Sequence, residues 1–175
     1  MLETGNIVLF RKNDTFISKA IAAFTGSSYT HVGIISTVKD DELIMAEALA
    51  EGFTLSKYDL TMFKQKVDEG IFLVRSPRKQ LHKPRVKETI LKYLGRPYGY
   101  LDILFIALSK LTGKRLLKGC ADKLICSEAV ARVLYESSNK RIDFEKEFNK
   151  PYSYVTPDDL FMSKQLKTVY GGNKK

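Results

Sequence analysis

Cys126 is the side chain in this sequence that is best suited to nucleophilic chemistry. It lies in the segment LICSEAV, where an irregular stretch gives way to a strongly periodic helix. The helix dipole and the free backbone N–H groups at such a position stabilise thiolate over thiol, and they also stabilise the oxyanion that forms when a thiolate attacks an acyl carbon. Because most lone cysteines are core residues, Cys126 by itself does not establish a reactive thiol.

His31 is the expected partner of this thiol, because a nucleophilic cysteine needs a base or an imidazolium beside it. The chain has two histidines. His82 lies in a basic, proline-flanked connection, where neighbouring charges disfavour imidazolium. His31 instead begins an apolar strand, HVGIIST, directly after the polar segment GSSYT. The alternative interpretation of His31 is a strand-end histidine that is satisfied by backbone groups.

Glu47 is the expected third polar residue. The runs HVGIIST and LIMAEA flank a polar connection and predict a β-hairpin whose turn lies near Lys39 to Glu42. His31 and Glu47 are then opposed on adjacent strands, with their Cβ atoms roughly 5 Å apart. A carboxylate in that place holds the second imidazole nitrogen and favours the protonated ring. A register slip of one residue would leave Glu47 as an ordinary exposed strand carboxylate.

The order of these segments resembles the permuted NlpC-type papain-like proteins, especially the YiiX-like group, with the lecithin:retinol acyltransferase-like enzymes as more distant relatives. The resemblance rests on GNIVLF, SSYTHVGII, MAEA and ICSEAV, with GRPYGYLD and TPDDL as further shared features, and it extends from Gly5 to about Leu160. It implies a circularly permuted papain-like fold. It also implies a catalytic triad in which Cys126 is the nucleophile, His31 the base and Glu47 the third residue.

Tyr29 and Tyr98 are candidate substrate or oxyanion contacts, because one precedes His31 by two residues and the other lies in a glycine-flanked turn. Aromatic packing is the competing interpretation of both rings. No metal site and no cofactor are expected, since the cysteines and histidines lack zinc-finger spacing. Cys120 carries no comparable motif and is expected to be a structural or surface thiol.

These residues must be positioned by strands and helices. Along the sequence, most of the predicted strands precede most of the predicted helices. Hydrophobic residues make up 44% of the chain, which excludes disorder for most of it. The predicted strands are Asn6 to Phe10, the two runs of the hairpin, Gly52 to Ser56 and Gly70 to Arg75. The predicted helices are Phe16 to Phe24 capped by Asp14, Tyr58 to Lys66, Val86 to Leu94, Leu101 to Leu111, Cys126 to Tyr135 and a short one opened by Thr156 and Pro157. Because no βαβ alternation is present, the fold class is α+β, an antiparallel sheet or half-barrel packed against helices in a single domain, 1–175.

The surface is expected to be basic, since 29 Lys and Arg against 20 Asp and Glu give a net charge of +9. The densest cluster of cations comprises Arg75, Arg78, Lys79, Lys83, Arg85 and Lys87, and it is interpreted as a solvated connection and helix face. Weak contact with anionic surfaces is consistent with this charge, but no aromatic residue interrupts the cluster to stack on bases, so no specific nucleic acid is predicted. The sequence shows no signal peptide or transmembrane segment, which predicts a cytoplasmic protein, with delivery by another route left open.

The leading functional prediction is a cysteine hydrolase that works through a thioester acyl-enzyme. The resemblance implies amide or ester substrates, such as cell-wall peptide, isopeptide or lipid, and leaves amidase, peptidase, lipid-ester hydrolase and acyltransferase chemistry open. Two alternatives remain: a basic module that binds nucleic acid or anionic membranes, and a papain-like pseudoenzyme that serves as a scaffold. The sequence does not set the oligomeric state.

Overall fold

The computed structural model describes residues 1–11, 28–99 and 124–171, and its strands form one antiparallel sheet. The strands are β1 Ile7–Arg11, β2 Tyr29–Lys39, β3 Glu42–Leu49, β4 Gly52–Asp59, β5 Phe72–Pro77 and β6 Leu166–Tyr170. Their order across the sheet is β4-β3-β2-β1-β5-β6, and every neighbouring pair is antiparallel. The α+β class and the first five strands are therefore confirmed.

Helices follow most of the strands along the chain. They are α1 Leu60–Asp68, α2 Lys83–Tyr93, α3 Cys126–Ser137, α4 Phe144–Phe148 and α5 Pro157–Met162, with a 3-10 turn at Tyr152–Tyr154. The helices predicted over 16–24 and 101–111 lie outside the described residues. In the part of the chain that the structure describes, no helix is both long enough and apolar enough to cross a membrane. The cytoplasmic location stays a prediction.

Helices cover both faces of the sheet, because successive strand residues point to opposite sides. Ile34 joins the core cluster that includes Val130 of α3, whereas its neighbour Ile35 joins a second cluster that includes Phe63 of α1. All four side chains are fully buried or nearly so. The sheet is thus the central layer, and α3 is anchored on one of its faces.

The strand β6 was not predicted, and its burial shows why. Only Leu166 of this five-residue strand is buried, so the segment lacks the apolar alternation that predicts a strand. It lies at the sheet edge and pairs with β5 alone. In α2, Thr89 and Tyr93 are buried beside Ile90, whereas Leu91 is 63% exposed.

Arg75 does not belong to the solvated basic cluster in which the sequence placed it. Its side chain is buried and lies beneath α5, where Nη1 donates to the carbonyl oxygens of Leu160, at 2.8 Å, and of Phe161. Nη2 donates to the carbonyl of Leu166 at 2.7 Å. Arg75 therefore ties β5 to the end of α5 and the start of β6. The other five members of the predicted cluster are exposed.

Candidate active site

The hairpin of β2 and β3 carries two of the predicted site residues, but its register differs from the prediction. Gly33, rather than His31, is paired with Glu47. The turn is tight, with Lys39 paired to Glu42. The two-residue difference keeps His31 and Glu47 on the same face of the sheet, because side chains alternate with a period of two. They therefore meet as diagonal neighbours instead of directly opposed ones.

A β-bulge at Ser36 sets the face on which His31 lies. The register at the turn, if continued without interruption, would pair Ile34 with Glu47 and place His31 on the opposite face. Pairing instead shifts by one residue between the two ends of the hairpin, and Ser36 is the extra residue. The Thr4 hydroxyl donates to the Ser36 carbonyl at 2.9 Å, so the N-terminal segment holds the bulge in place.

The carboxylate of Glu47 is buried and hydrogen-bonded on both oxygens. Its Oε2 lies 2.8 Å from Nε2 of His31, and its Oε1 accepts a hydrogen bond from the Tyr58 hydroxyl at 2.8 Å. The Ser56 side chain also hydrogen-bonds the carboxylate. Burial alone would raise the pKa of Glu47, but these partners outweigh it and lower the pKa. Glu47 is therefore held as an oriented anion beside the imidazole.

Tyr58 is a site residue that the sequence analysis missed. It was assigned to a helix from Tyr58 to Lys66, whereas β4 runs on to Asp59, whose side chain then caps α1 by accepting from the Met62 amide at 2.8 Å. Burial and the charge of Glu47 raise the pKa of Tyr58, so its hydroxyl remains a donor. Exposure alternates along β4, but the sequence after Leu55 is mostly polar, so its pattern does not extend the strand to Tyr58.

Cys126 is the first residue of α3. Ile125 precedes it in an extended conformation, and the Ser127 hydroxyl donates to the Val155 carbonyl at 2.6 Å, which anchors the first turn. The Leu124 amide donates to the carbonyl of Pro97 at 3.0 Å. These contacts fix the N-terminal end of the helix, so the thiol occupies the position where free N–H groups and the dipole favour an anion.

The imidazole of His31 interacts with the Cys126 side chain as well as with Glu47, to which it is hydrogen-bonded. Burial alone would lower the pKa of His31, but both contacts and both neighbouring charges outweigh it and raise the pKa to about 10. Burial alone would raise the pKa of Cys126, yet the His31 contact, helped by the backbone of Val32 and Ser127, lowers it. Because Nε2 faces Glu47, Nδ1 is the nitrogen available to the sulfur. These shifts favour thiolate and imidazolium at neutral pH.

In the part of the chain that the structure describes, the side chains of the site have little exposure to solvent. Cys126 is only 6% exposed and contributes to the core, so the thiol does not face an open cleft. The His31 side chain keeps 20% exposure. Its ring packs edge-on against Phe10, with the centroids 4.9 Å apart. The imidazole is thus the more accessible member of the pair and is fixed by packing on one side.

The two tyrosines singled out as substrate contacts occupy different surroundings. Tyr29 is 3% exposed, and its ring packs against Phe161 with the centroids 4.9 Å apart. Tyr98 is half-buried, forms an isolated bridge with Leu124 and packs against the main core. Both rings therefore serve packing, and a substrate contact stays a prediction for each. Cys120 lies outside the described residues.

The fold and the site define an α+β protein with a six-stranded antiparallel sheet, a cysteine at a helix start and a strand histidine held by a buried carboxylate. No family model and no curated protein matches the sequence. Among solved structures, the fold is similar to the crystal structure of the metalloprotein yiiX from Escherichia coli O157:H7, DUF1105. The match has a TM-score of 0.61 and 21% identity and covers 95% of this chain and 96% of that chain. A likeness at that identity shows a YiiX-like fold.

The structural neighbour is called a metalloprotein, and a metal at this site would need ligands among the residues present here. Within residues 1–11, 28–99 and 124–171, no three His, Cys, Asp or Glu side chains are grouped to hold an ion. Nε2 of His31 directs its hydrogen at Glu47 and so has no lone pair for a metal, and each Glu47 oxygen already accepts a hydrogen bond, from His31 or from Tyr58. These residues do not fit a resident metal at the site. The arrangement is suited to holding and moving a proton.

Proposed function

We propose that this protein is a cysteine hydrolase with a permuted papain-like fold, in which Cys126 is the nucleophile. The observation that carries the proposal is the imidazole of His31, which bridges a thiol at a helix start and the buried carboxylate of Glu47. A nucleophile, a base and an orienting group in one hydrogen-bonded chain are what thiol catalysis requires. The YiiX-like fold supports the proposal by analogy only.

Acylation begins from the thiolate of Cys126. The sulfur attacks the carbonyl carbon of an amide or ester, a C–S bond forms, and the carbonyl electrons move onto oxygen. Free N–H groups at the start of α3 stabilise this oxyanion. As the tetrahedral intermediate collapses, the C–N or C–O bond breaks and imidazolium at His31 gives its Nδ1 proton to the leaving amine or alcohol. A thioester on Cys126 and a neutral imidazole remain.

In deacylation, His31 takes up a proton instead of giving one. Water attacks the thioester carbon while Nδ1 of His31 takes the water proton, and the C–S bond then breaks to release the acid and restore the thiolate. An alcohol or amine acceptor in place of water makes the same site an acyltransferase. Throughout both steps, Glu47 holds the ring by Nε2 and stabilises its charged form.

The substrate is proposed to be an amide or ester, in keeping with the peptide, isopeptide and lipid classes that the sequence resemblance implies. Hydrolysis of each class uses the same thioester and the same proton transfers. A cytoplasmic location remains part of the proposal. The nearly buried thiol favours substrates that present a narrow acyl group, because Cys126 is 6% exposed in the described structure.

The acyl-enzyme is the test of this proposal. Wild-type protein mixed with a p-nitrophenyl ester is expected to release a burst of nitrophenolate and to carry one acyl group on the peptide that contains Cys126, seen by mass spectrometry. Cys120 in the same sample reports the reactivity of an ordinary thiol. His31→Ala is the matched variant and is expected to lose the burst. Acylation spread equally over both cysteines, or none, would overturn the hydrolase and favour a scaffold protein.

A further inference from the structure

A basic cleft lies between α2 and α3, away from the proposed active site. It measures about 570 Å³ and is lined by charged and aromatic side chains, among them Arg85, Arg132, Lys140 and Tyr135. Its volume falls in the range of small-molecule sites, about 300–1,000 Å³. The lining includes the C-terminal end of α3, about 15 Å along that helix from Cys126 at 1.5 Å per residue. None of the three proposed catalytic residues lines it.

The charges of the cleft do not cancel. Glu136 is occupied by Lys92, whose Nζ lies 2.8 Å from its carboxylate, and Arg132 is paired with Glu128 at 2.9 Å. No ion pair is found for Arg85 or Lys140 among the residues that the structure describes. The cleft therefore keeps uncompensated positive charge at its rim, and the guanidinium of Arg85 is positioned by a hydrogen bond to the side chain of Asn139.

The backbone at this rim is strained in a way that helix termination alone does not require. Asn139 and Lys140 both have left-handed φ angles, of 55° and 63°. One left-handed residue is enough to end a helix, and glycine is the residue that takes this conformation without cost. The amide of Lys140 donates to the Tyr135 carbonyl at 2.8 Å and that of Asn139 to the Glu136 carbonyl at 3.3 Å, the two bonds that close the end of α3, and the left-handed φ of Lys140 comes in addition to them. A lysine in the left-handed region beside a cleft is the kind of strained residue that clusters at functional sites.

We infer that this cleft is a second binding site, for an anionic ligand that bears a phosphate group. Phosphate chemistry fits because guanidinium and ammonium groups bind phosphate oxygens through charge-assisted hydrogen bonds. Arg85 and Lys140 are the charged contacts, and Asn139 fixes the orientation of Arg85. The phosphate belongs either to a free small molecule or to a lipid headgroup, and both sources present the same oxygens.

The structure also supplies a competing explanation for Lys140, because a cation beyond the end of a helix interacts favourably with the helix dipole. The two explanations differ in what Lys140→Gly does. Glycine relieves the left-handed strain, so a binding role predicts an unchanged or higher melting temperature together with weaker ligand binding. A role confined to the helix dipole predicts a lower melting temperature with unchanged binding.

Calorimetric titration at low ionic strength tests the site with pyrophosphate as the probe, alongside sedimentation with phosphatidylglycerol vesicles and neutral phosphatidylcholine vesicles. Lys140→Gly and Arg85→Gln are expected to weaken binding about tenfold each, as the loss of one charge-assisted contact predicts. Lys39→Ala, which removes a cation outside the cleft, is the charge-matched control and is expected to bind like wild type. Cys126→Ala is also expected to bind normally, which separates this site from the proposed activity.

Saturable binding of pyrophosphate that depends on Lys140 and Arg85 supports a free ligand, and the same dependence with phosphatidylglycerol vesicles alone supports a lipid headgroup. Equal weakening in Lys39→Ala means that the probe responds only to net charge, and it overturns the proposal. Absence of binding to either probe overturns it as well.

Discussion

The hydroxyl of Tyr58 acts on the proposed chemistry through Glu47, because it donates to the carboxylate oxygen that His31 does not use. Tyr58→Phe removes that donor. The pKa of Glu47 is then expected to rise, and the acid limb of the pH–rate profile to move to higher pH, since protonation of Glu47 releases the imidazole. The value of kcat should fall about tenfold with little change in KM, because one hydrogen bond to a buried anion is lost.

Tyr93→Phe is the matched control for this change. Tyr93 is a buried tyrosine whose hydroxyl, like that of the half-buried Tyr58, donates to a carboxylate, here that of Glu136. Its removal is expected to leave the pH–rate profile unshifted. A profile that moves equally in both variants, or in neither, would show that Tyr58 does not position Glu47.

Glu47→Gln and His31→Ala separate an orienting role from a reacting one. The amide of glutamine keeps the approximate shape of the side chain but cannot stabilise imidazolium, so kcat is expected to fall about 100-fold. His31→Ala removes the proton carrier itself, and a fall of about 10,000-fold is expected. Steady-state kinetics on an ester substrate measure both. Equal losses would mean that Glu47 takes part in the proton transfer rather than holding the ring.

At the scale of the elements, the attachment of α5 to β5 depends on the buried side chain of Arg75. Arg75→Met leaves the buried carbonyls of Leu160 and Leu166 without their donor, which is expected to destabilise the fold by about 3 kcal/mol in chemical denaturation. Arg78→Met, an exposed neighbour from the same sequence cluster, is expected to change stability by less than about 0.5 kcal/mol. Similar effects of the two substitutions would place Arg75 on the surface after all.

The hairpin of β2 and β3 shows which structural features its sequence pattern could predict and which it could not. Alternating apolar residues predicted both strands and the turn, because a half-buried strand must repeat with a period of two. The pattern could not predict the bulge at Ser36, since a bulge is fixed by contacts far away in sequence, here the hydroxyl of Thr4. The predicted register was therefore wrong by two residues. The prediction still placed His31 and Glu47 on the same face of the sheet. Side chains alternate between the two faces, so a register error of two residues leaves each side chain on its face.

The same physical limit explains the residues that were missed. Tyr58 contacts Glu47 only because β4 pairs along the whole of β3, with Glu42 opposite Asp59. A propensity pattern marks where a strand is apolar, whereas pairing carries the strand on through polar residues. The edge strand β6 is another case, since Leu166 is its one buried residue. Local sequence thus predicted the positions of the thiol and imidazole but not the hydrogen bonds around them.

For the whole molecule, the proposed ion pair has a consequence for stability against pH. The unfolded chain has ordinary pKa values of about 6.5 for His31 and about 8.5 for Cys126. Between these values the unfolded pair carries one proton, on sulfur, and the folded pair carries one proton, on the ring. Because the proton numbers are equal, this pair adds no slope to the unfolding free energy of the wild type across that range.

Cys126→Ala is expected to behave differently in the same range. Of the groups that raise the pKa of His31 against burial, Glu47 remains in this variant, so the folded protein is expected to keep a proton that the unfolded chain loses above pH 6.5, and stability is expected to fall as pH rises. The slope relative to wild type approaches about 1.4 kcal/mol per pH unit, the value for one proton. Urea denaturation of both proteins across this range measures the difference. Parallel curves would mean either that the thiol in the wild type keeps its proton or that His31 loses its proton once Cys126 is removed.

The most direct test of the thiolate at Cys126 is the pH dependence of its alkylation by iodoacetamide, resolved from Cys120 by peptide mass spectrometry. We expect alkylation of Cys126 to titrate well below about 8.5, the pKa of a free cysteine, and to move upward in His31→Ala. Because the thiol is nearly buried, the midpoint of the profile rather than the absolute rate is decisive. A midpoint like that of an ordinary thiol, unchanged in His31→Ala, would contradict the coupled pair and with it the proposed hydrolase.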